Sequence, residues 1–194
     1  MEKERLAAFS DGVLAIIITI MVLELKVPHG GEPGDLVKLI PVFLSYVLSF
    51  VYVGIYWNNH HHMLATVKRV NGSILWANMH LLFWLSLIPF ATAWLGENHF
   101  SKWPTALYGV ALLAAAIAYY ILQRTIIRAQ GEDSLLSRAV GSDLKGKASP
   151  ILYASAIGLA FVAPLVSNLI YVFVALVWLV PDKRIEHILS EVEK

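Results

Sequence analysis

Polar or ionisable side chains stand inside or at the ends of long apolar segments of this chain. They fall in three groups: Ser10, Asp11 and Thr19; His60, His61 and His62; and Asn78 with His80. Such groups are costly inside a bilayer and mark candidate functional sites there. The chemistry open to them is hydrogen bonding, proton exchange at the histidines and the ligation of cations.

The segments that must position these groups have the composition of membrane helices. Of 194 residues, 58% are hydrophobic and 15% are charged, whereas a soluble domain has about 45–50% apolar and about 25% charged residues. A bilayer accepts apolar runs of about 20 residues. We therefore predict an all-α integral membrane protein, with a single domain over residues 1–194 in contact with the lipid bilayer.

Breakers and charged loops divide the chain into six predicted membrane helices. Their approximate bounds are 6–27, 36–57, 74–95, 104–127, 150–165 and 168–181, and a short amphipathic tail follows over 182–194. Asp35 is the candidate N-cap of the second helix, and Pro89 predicts a kink in the third. The uncharged run 148–181 would be about 50 Å long as one helix, so it is divided near Pro164.

The distribution of basic residues supports this division. With six spans, one side of the membrane receives every Lys and Arg except Lys26, Lys38 and Lys102. A single helix over 148–181 would move the basic residues of the tail to the other side and weaken the asymmetry. Since basic loops remain in the cytoplasm, both termini are predicted to be cytoplasmic.

Several functional classes lack their sequence signatures here. The chain has no G-x-S-x-G, Walker or H-E-x-x-H motif, so we predict that it is not an enzyme. The net charge of +1 gives no reason to expect a nucleic-acid partner. The absence of cysteine excludes disulfides and thiolate metal sites. Neither a T-V-G-Y-G potassium filter nor an arginine-rich voltage sensor is present.

The first helix carries a stripe of Gly12, Ile16, Thr19 and Leu23. Because successive residues advance by about 100°, these four fall within about 60° of one another. The stripe either packs against a neighbouring helix or lines a narrow pathway. By geometry alone, ordinary packing is favoured, since Gly and Thr are common at helix contacts in membranes.

Arg5 and Asp11 lie about 120° apart around the same helix, so each is expected to reach another helix or another subunit. In one interpretation Arg5 reaches the headgroups and Asp11 caps the helix. In the other, both belong to a polar network near the cytoplasmic end. A further hypothesis pairs His80 with Asp11 or Ser10 of the first helix, which would satisfy a buried histidine.

The run His60, His61 and His62 resembles a metal site only at first sight. Adjacent residues on a helix diverge by about 100°, so three in a row cannot bind one ion. A polar end of the second helix is the favoured interpretation, and no metal site is predicted. A membrane metalloprotein that uses these residues with His80 stays a competing hypothesis, as does a secondary transporter of a cation or small solute.

The first helix begins with an R-x-x-x-F-S-D motif, formed by Arg5, Phe9, Ser10 and Asp11. This motif resembles the signature of the bacterial relatives of transmembrane protein 175, a lysosomal potassium channel family. The likeness continues through 15–20, the segment from Trp57 to His61 and the segment 76–94. The likeness covers essentially the whole chain. It implies a one-repeat bacterial member of the family, located in the plasma membrane.

The resemblance implies a potassium-permeable cation channel that assembles as a homotetramer. The first helix of each subunit would line the pore for monovalent cations, with K+ as the permeant ion and no cofactor. Ile16 and Leu23 would form an aliphatic constriction, Thr19 a ring of hydroxyls, and Ile20 an outer aliphatic position. The motif residues and His80 would belong to the structural network that holds the pore helix.

Overall fold

The computed structural model describes residues 3–131, 133–140 and 143–179. These residues form helices joined by short connections. The helices are α1 (Lys3–Leu23), α2 (Pro33–Val37), α3 (Ile40–Ala65), α4 (Gly72–Ser86), α5 (Ile88–Glu97), α6 (Lys102–Gln130), α7 (Leu135–Val140), α8 (Leu144–Leu159) and α9 (Pro164–Leu179). The described part of the chain is therefore all-α, as predicted. The expected amphipathic tail over 182–194 lies outside the described residues.

The second predicted helix differs most from the structure. Asp35 lies inside the short helix α2, whose N-cap is Glu32, and its carboxylate accepts from the Lys38 ammonium at 2.9 Å. The prediction that Asp35 caps the long helix is therefore wrong. Helix α3 starts at Ile40 and continues to Ala65, eight residues beyond the predicted end at Trp57. The three histidines, interpreted as an exit from the helix, stand within its last turns.

The third predicted helix is two helices, separated at Leu87. The backbone amide of Leu87 donates to the Trp84 carbonyl at 3.3 Å, which closes α4 with a tight turn. Pro89 follows in the first turn of α5, where its missing N–H removes no intrahelical hydrogen bond. The break thus lies two residues before the proline that predicts a kink.

Helices α8 and α9 begin earlier than predicted. Asp143 caps α8 by accepting from the Gly146 backbone amide at 3.0 Å, which places the start of this helix in the segment expected to be a polar connection. Pro150, the predicted first residue, lies inside α8. The same connection also contains α7. Helix α9 begins directly at Pro164, the residue chosen to divide the apolar run.

The helices pack around α6, which contacts α4, α5, α8 and α9. At one contact, Gly109 of α6 meets the Tyr171 ring of α9 with no room for a Cβ. Hydrogen bonds between side chains continue through the same interior: Thr92 donates to Ser49 at 2.6 Å, and the Ser49 and Tyr108 hydroxyls are 2.9 Å apart. These three hydroxyls are buried, and they satisfy one another inside the core.

Helix α1 lies at the edge of this bundle, against α3, α4 and α5. Four spans of the described residues are long and apolar enough to cross a membrane. They are α1 with 21 residues, α3 with 26, α4 and α5 together with 26, and α6 with 29. Helix α9 is apolar but has 16 described residues. The chain is therefore a membrane-spanning helical protein.

Candidate functional site

Helix α1 has two faces of different character. Leu6, Ser10, Leu14, Ile17 and Met21 are all buried against the rest of the chain. Since they recur every three or four residues, they share one face of the helix. This face attaches α1 to its own subunit.

The stripe predicted for a packing surface or a pathway lies on the other side of α1. Ile16 is 58% exposed and Leu23 is 77% exposed, and Gly12 and Thr19 are also exposed. At about 100° per residue, the centre of this stripe is about 150° from the centre of the buried face. The stripe therefore does not pack against the residues that the structure describes, which excludes the favoured packing interpretation within this part of the chain.

The Thr19 hydroxyl makes its hydrogen bonds within its own helix, to the carbonyl oxygens of Ile16 at 3.0 Å and Ala15 at 3.1 Å. Its oxygen retains accepting capacity toward the exposed side. Ile20 is 43% exposed and lies beside the stripe. With Ile16 it forms the α1 wall of an open groove of about 640 Å³, whose opposite wall comes from α5 and includes Phe90 and Trp94.

The end of this groove near the C-terminus of α1 carries Glu24 and Glu97. The Lys26 ammonium lies 2.9 Å from the Glu97 carboxylate. That hydrogen bond and the attraction of the two charges raise the pKa of Lys26. The ion pair therefore persists as the pH rises to at least the ordinary pKa of lysine. Both side chains are largely solvated, and the contact contributes little to stability.

A buried chain of hydrogen-bonded side chains holds the N-terminal half of α1. The Ser10 hydroxyl donates to the Leu6 carbonyl at 2.9 Å and accepts from the Asn78 amide at 3.0 Å. The amide oxygen of Asn78 lies 2.7 Å from His60 Nε2. Ser10, Asn78 and His60 are at most 1% exposed. The chain joins α1, α4 and α3 in a low-dielectric interior, where a lost partner is expensive.

Asp11 takes a second anchor on α3. Its carboxylate accepts from the Trp57 indole Nε1 at 2.9 Å. The prediction that Asp11 reaches another helix is met by Trp57, a residue that sequence reasoning assigned no role. Arg5 and Phe9, the other motif residues, are exposed, and Phe9 is 51% accessible. The motif is thus divided between two anchors inside the subunit and two side chains on its surface.

The proposed pairing of His80 with Ser10 or Asp11 is wrong. His80 accepts from the Trp84 indole Nε1 at 3.0 Å, one turn along α4. Asn78 takes the place expected for His80. The two residues are two positions apart, hence about 200° apart around α4, so only one of them can face α1. His60 faces Asn78, and the rings of His61 and His62 lie 5.7 Å apart. In residues 3–131, 133–140 and 143–179, no His, Asp and Glu side chains form a group of three able to hold a metal ion.

Comparison with known proteins decides the family. Residues 5–89 match the family model of the endosomal/lysosomal potassium channel TMEM175. A potassium channel of Chryseobacterium sp. (strain P1-3) is 59% identical over 191 residues, which cover 98% of this chain and 100% of that protein. The chain belongs to the TMEM175 family. It is therefore a member of an ion-channel family, and not of an enzyme family.

More distant members of the TMEM175 family show the same relationship. The human endosomal/lysosomal proton channel TMEM175 is 32% identical over 103 residues, which are 47% of this chain and 20% of the human protein. The crystal structure of a lysosomal potassium-selective channel TMEM175 homolog from Chamaesiphon minutus superposes with a TM-score of 0.81 at 29% identity. That match covers 93% of this chain and 98% of the other.

Proposed function

We propose that this chain is the subunit of a potassium-permeable cation channel whose pore is lined by α1. The observation that carries the proposal is the exposure of Gly12, Ile16, Thr19 and Leu23 on the face of α1 opposite its buried face. The potassium channel activity named for the Chryseobacterium and Chamaesiphon relatives agrees with it. One α1 cannot enclose a pore, so the channel is a homo-oligomer, and the proposed form is a tetramer.

The topology that this function requires has six spans, with α8 and α9 as the last two. Both termini then lie in the cytoplasm of a cell whose plasma membrane holds the channel. The basic residues favour this orientation, because Lys26, Lys38 and Lys102 alone fall on the outer side.

The permeation mechanism follows from the side chains of the stripe. Rings of Ile16 and Leu23 offer no oxygen to replace water, so an ion must shed hydration at its own cost when it passes them. K+ loses water more readily than Na+, and an apolar constriction therefore favours K+, though less than a carbonyl filter does. A ring of Thr19 hydroxyls between them offers oxygens to the partly dehydrated ion, and Ile20 borders the same pathway.

The motif residues take two roles in this proposal. Ser10 and Asp11 fix the angle of α1 within its subunit through Asn78 and Trp57. Arg5 and Phe9, exposed on the single chain, contact the adjacent subunit. His80 is assigned to neither role, since it accepts a hydrogen bond from Trp84 on its own helix.

The test is K+ and Na+ flux through purified protein in liposomes, with Ile16→Asn beside the parent. A matched control is Leu169→Asn, because Leu169 of α9 is also 58% exposed. We expect passive flux that favours K+, a several-fold change in selectivity or rate for Ile16→Asn, and parental behaviour for Leu169→Asn. Equal effects of both substitutions would show that the constriction does not lie on α1. Flux that requires a second ion gradient would instead indicate a secondary transporter.

A further inference from the structure

A second candidate site lies at the inner end of the bundle, outside the pore. An open groove of about 780 Å³ runs between the start of α1, the turn that joins α3 to α4, and α7. Its charged lining residues are Lys3, Lys68, Arg69 and Glu4, and its apolar lining includes Val67 and Leu135. Three cations and one carboxylate give the groove a positive charge.

The backbone that presents these cations is held at several points. The Lys68 backbone amide donates to Gln130 Oε1 of α6 at 3.2 Å, and the Lys3 ammonium donates to the Ala65 carbonyl at 3.3 Å. At the far end of the turn, Asn71 accepts from the Ile74 backbone amide and caps α4. Because the turn is fixed at both ends, Lys68 and Arg69 are presented without the ordering cost that a free loop would incur.

The basic residues of the groove form no ion pair with the residues that the structure describes. Within the described ranges, the ion pairs are Lys26 with Glu97 and Lys38 with Asp35. Lys3, Lys68 and Arg69 belong to neither pair. Ammonium and guanidinium groups bind phosphoryl oxygens.

We propose that this groove binds the phosphodiester headgroup of an anionic phospholipid of the inner leaflet. Basic pockets between membrane helices on the cytoplasmic side recognise such headgroups. Lys68 and Arg69 contact the phosphate, and Leu135 lies against the glycerol and the first methylenes of the acyl chains. The site lies within one chain and does not require Ile16 to line a pore. Its place at the inner leaflet rests on the proposed cytoplasmic orientation of Lys3, Lys68 and Arg69.

Native mass spectrometry of the purified full chain with phosphatidylglycerol, and with phosphatidylcholine in parallel, tests this site. The variant is Lys68→Gln with Arg69→Gln. The matched control is Arg128→Gln with Lys147→Gln, which removes the same charge from exposed residues outside the groove. Thermal unfolding of each variant establishes that it is folded.

We expect phosphatidylglycerol to bind the parent and the control, and to bind the groove variant about 30-fold more weakly. That factor follows from about 1 kcal/mol for each basic residue near an anionic headgroup, at about 1.4 kcal/mol for each tenfold change. The charge-preserving variant Lys68→Arg with Arg69→Lys should retain binding. Equal losses in the groove variant and in the control would show diffuse attraction and overturn the proposal, as would equal binding of phosphatidylcholine. Competition by millimolar inorganic phosphate that displaces all the lipid would assign the groove to free phosphate instead.

Discussion

The side-chain amide of Asn78 donates to the Ser10 hydroxyl at 3.0 Å, and this contact fastens α1 to α4 in the buried interior. Ser10 also donates to the Leu6 carbonyl, and the Asn78 amide oxygen is hydrogen-bonded to His60 on α3. Three helices therefore share one chain of hydrogen bonds. Because no member of the chain meets water, each depends on its neighbours for a partner.

Asn78→Ala should destabilise the subunit. The substitution leaves His60 Nε2 buried without its Asn78 partner and removes the amide that donates to the Ser10 hydroxyl, which keeps its bond to the Leu6 carbonyl. A buried polar group that loses its partner costs about 1–3 kcal/mol. For a chain of this size that corresponds to a fall of roughly 3–10 °C in Tm. The matched control is His80→Ala on the same helix, where the lost bond is local to Trp84. A fall in Tm as large for His80→Ala as for Asn78→Ala would contradict this assignment.

The Trp57 and Asp11 side chains should behave as a coupled pair. Trp57→Phe removes the indole donor and Asp11→Ala removes its acceptor, so the double variant should lose little more than either single variant. The expected coupling energy is about 1 kcal/mol, since Trp57 is 44% exposed and the bond is partly solvated. A double-mutant cycle on thermal unfolding measures it. Trp76→Phe serves as the control because Trp76 is 78% exposed, and additive effects of the Trp57 and Asp11 substitutions would refute the pairing.

Phe9→Ala should weaken assembly more than it weakens the subunit. Phe9 is 51% exposed on the single chain and is proposed to contact the adjacent subunit, so its removal deletes apolar contact area between subunits. The measurement is the fraction of tetramer by native mass spectrometry as the protein is diluted. Phe173→Ala of α9 is the matched control, because Phe173 is 55% exposed. Retention of the tetramer in Phe9→Ala, or its equal loss in Phe173→Ala, would count against the proposed interface.

Gly96→Ala should separate α3 from α5. A Cβ at Gly96 would lie 2.6 Å from the Val42 Cα and would also collide with the Ser45 hydroxyl. Since a backbone atom cannot move aside cheaply, we expect a loss of about 1–3 kcal/mol in the free energy of unfolding. Gly54→Ala on α3 is the control, because nothing lies within 4 Å of its Cβ position. There the better helix propensity of Ala should raise stability slightly, and a Gly96→Ala variant as stable as Gly54→Ala would disprove the close approach.

Sequence reasoning reached the membrane class and the family because composition and the R-x-x-x-F-S-D motif are local properties of the chain. It could not orient α4. That helix buries Ile74, Leu81, Leu82 and Leu85, yet it also exposes Trp76, Met79 and Phe83. When both faces are apolar, periodicity does not tell which polar residue faces inward. The sequence therefore suggests His80 as the partner of α1, whereas the structure has Asn78 in that place.

The end of α3 illustrates a second limit. A run of Asn and His after Trp57 has the composition of a loop, and a polarity criterion ends the helix there. The structure continues α3 because His60 is buried against Asn78 and Asn59 donates to the Ile55 carbonyl at 2.8 Å within the helix. Contacts with residues distant in the sequence, which no local pattern records, allow polar residues to lie within a helix. The role of Trp57 is not predictable from the local sequence for the same reason, since its partner Asp11 lies 46 positions away.

Helices α6 and α8 lie side by side although their lengths differ greatly. Helix α6 has 29 residues and α8 has 16, which correspond to about 44 Å and about 24 Å. In the proposed six-span topology, α8 crosses the bilayer with a helix shorter than the hydrocarbon core of about 30 Å. Acyl chains beside α8 then compress to meet it, at a fraction of a kcal/mol for each ångström of mismatch. Short-chain lipids are therefore expected to gather beside this helix.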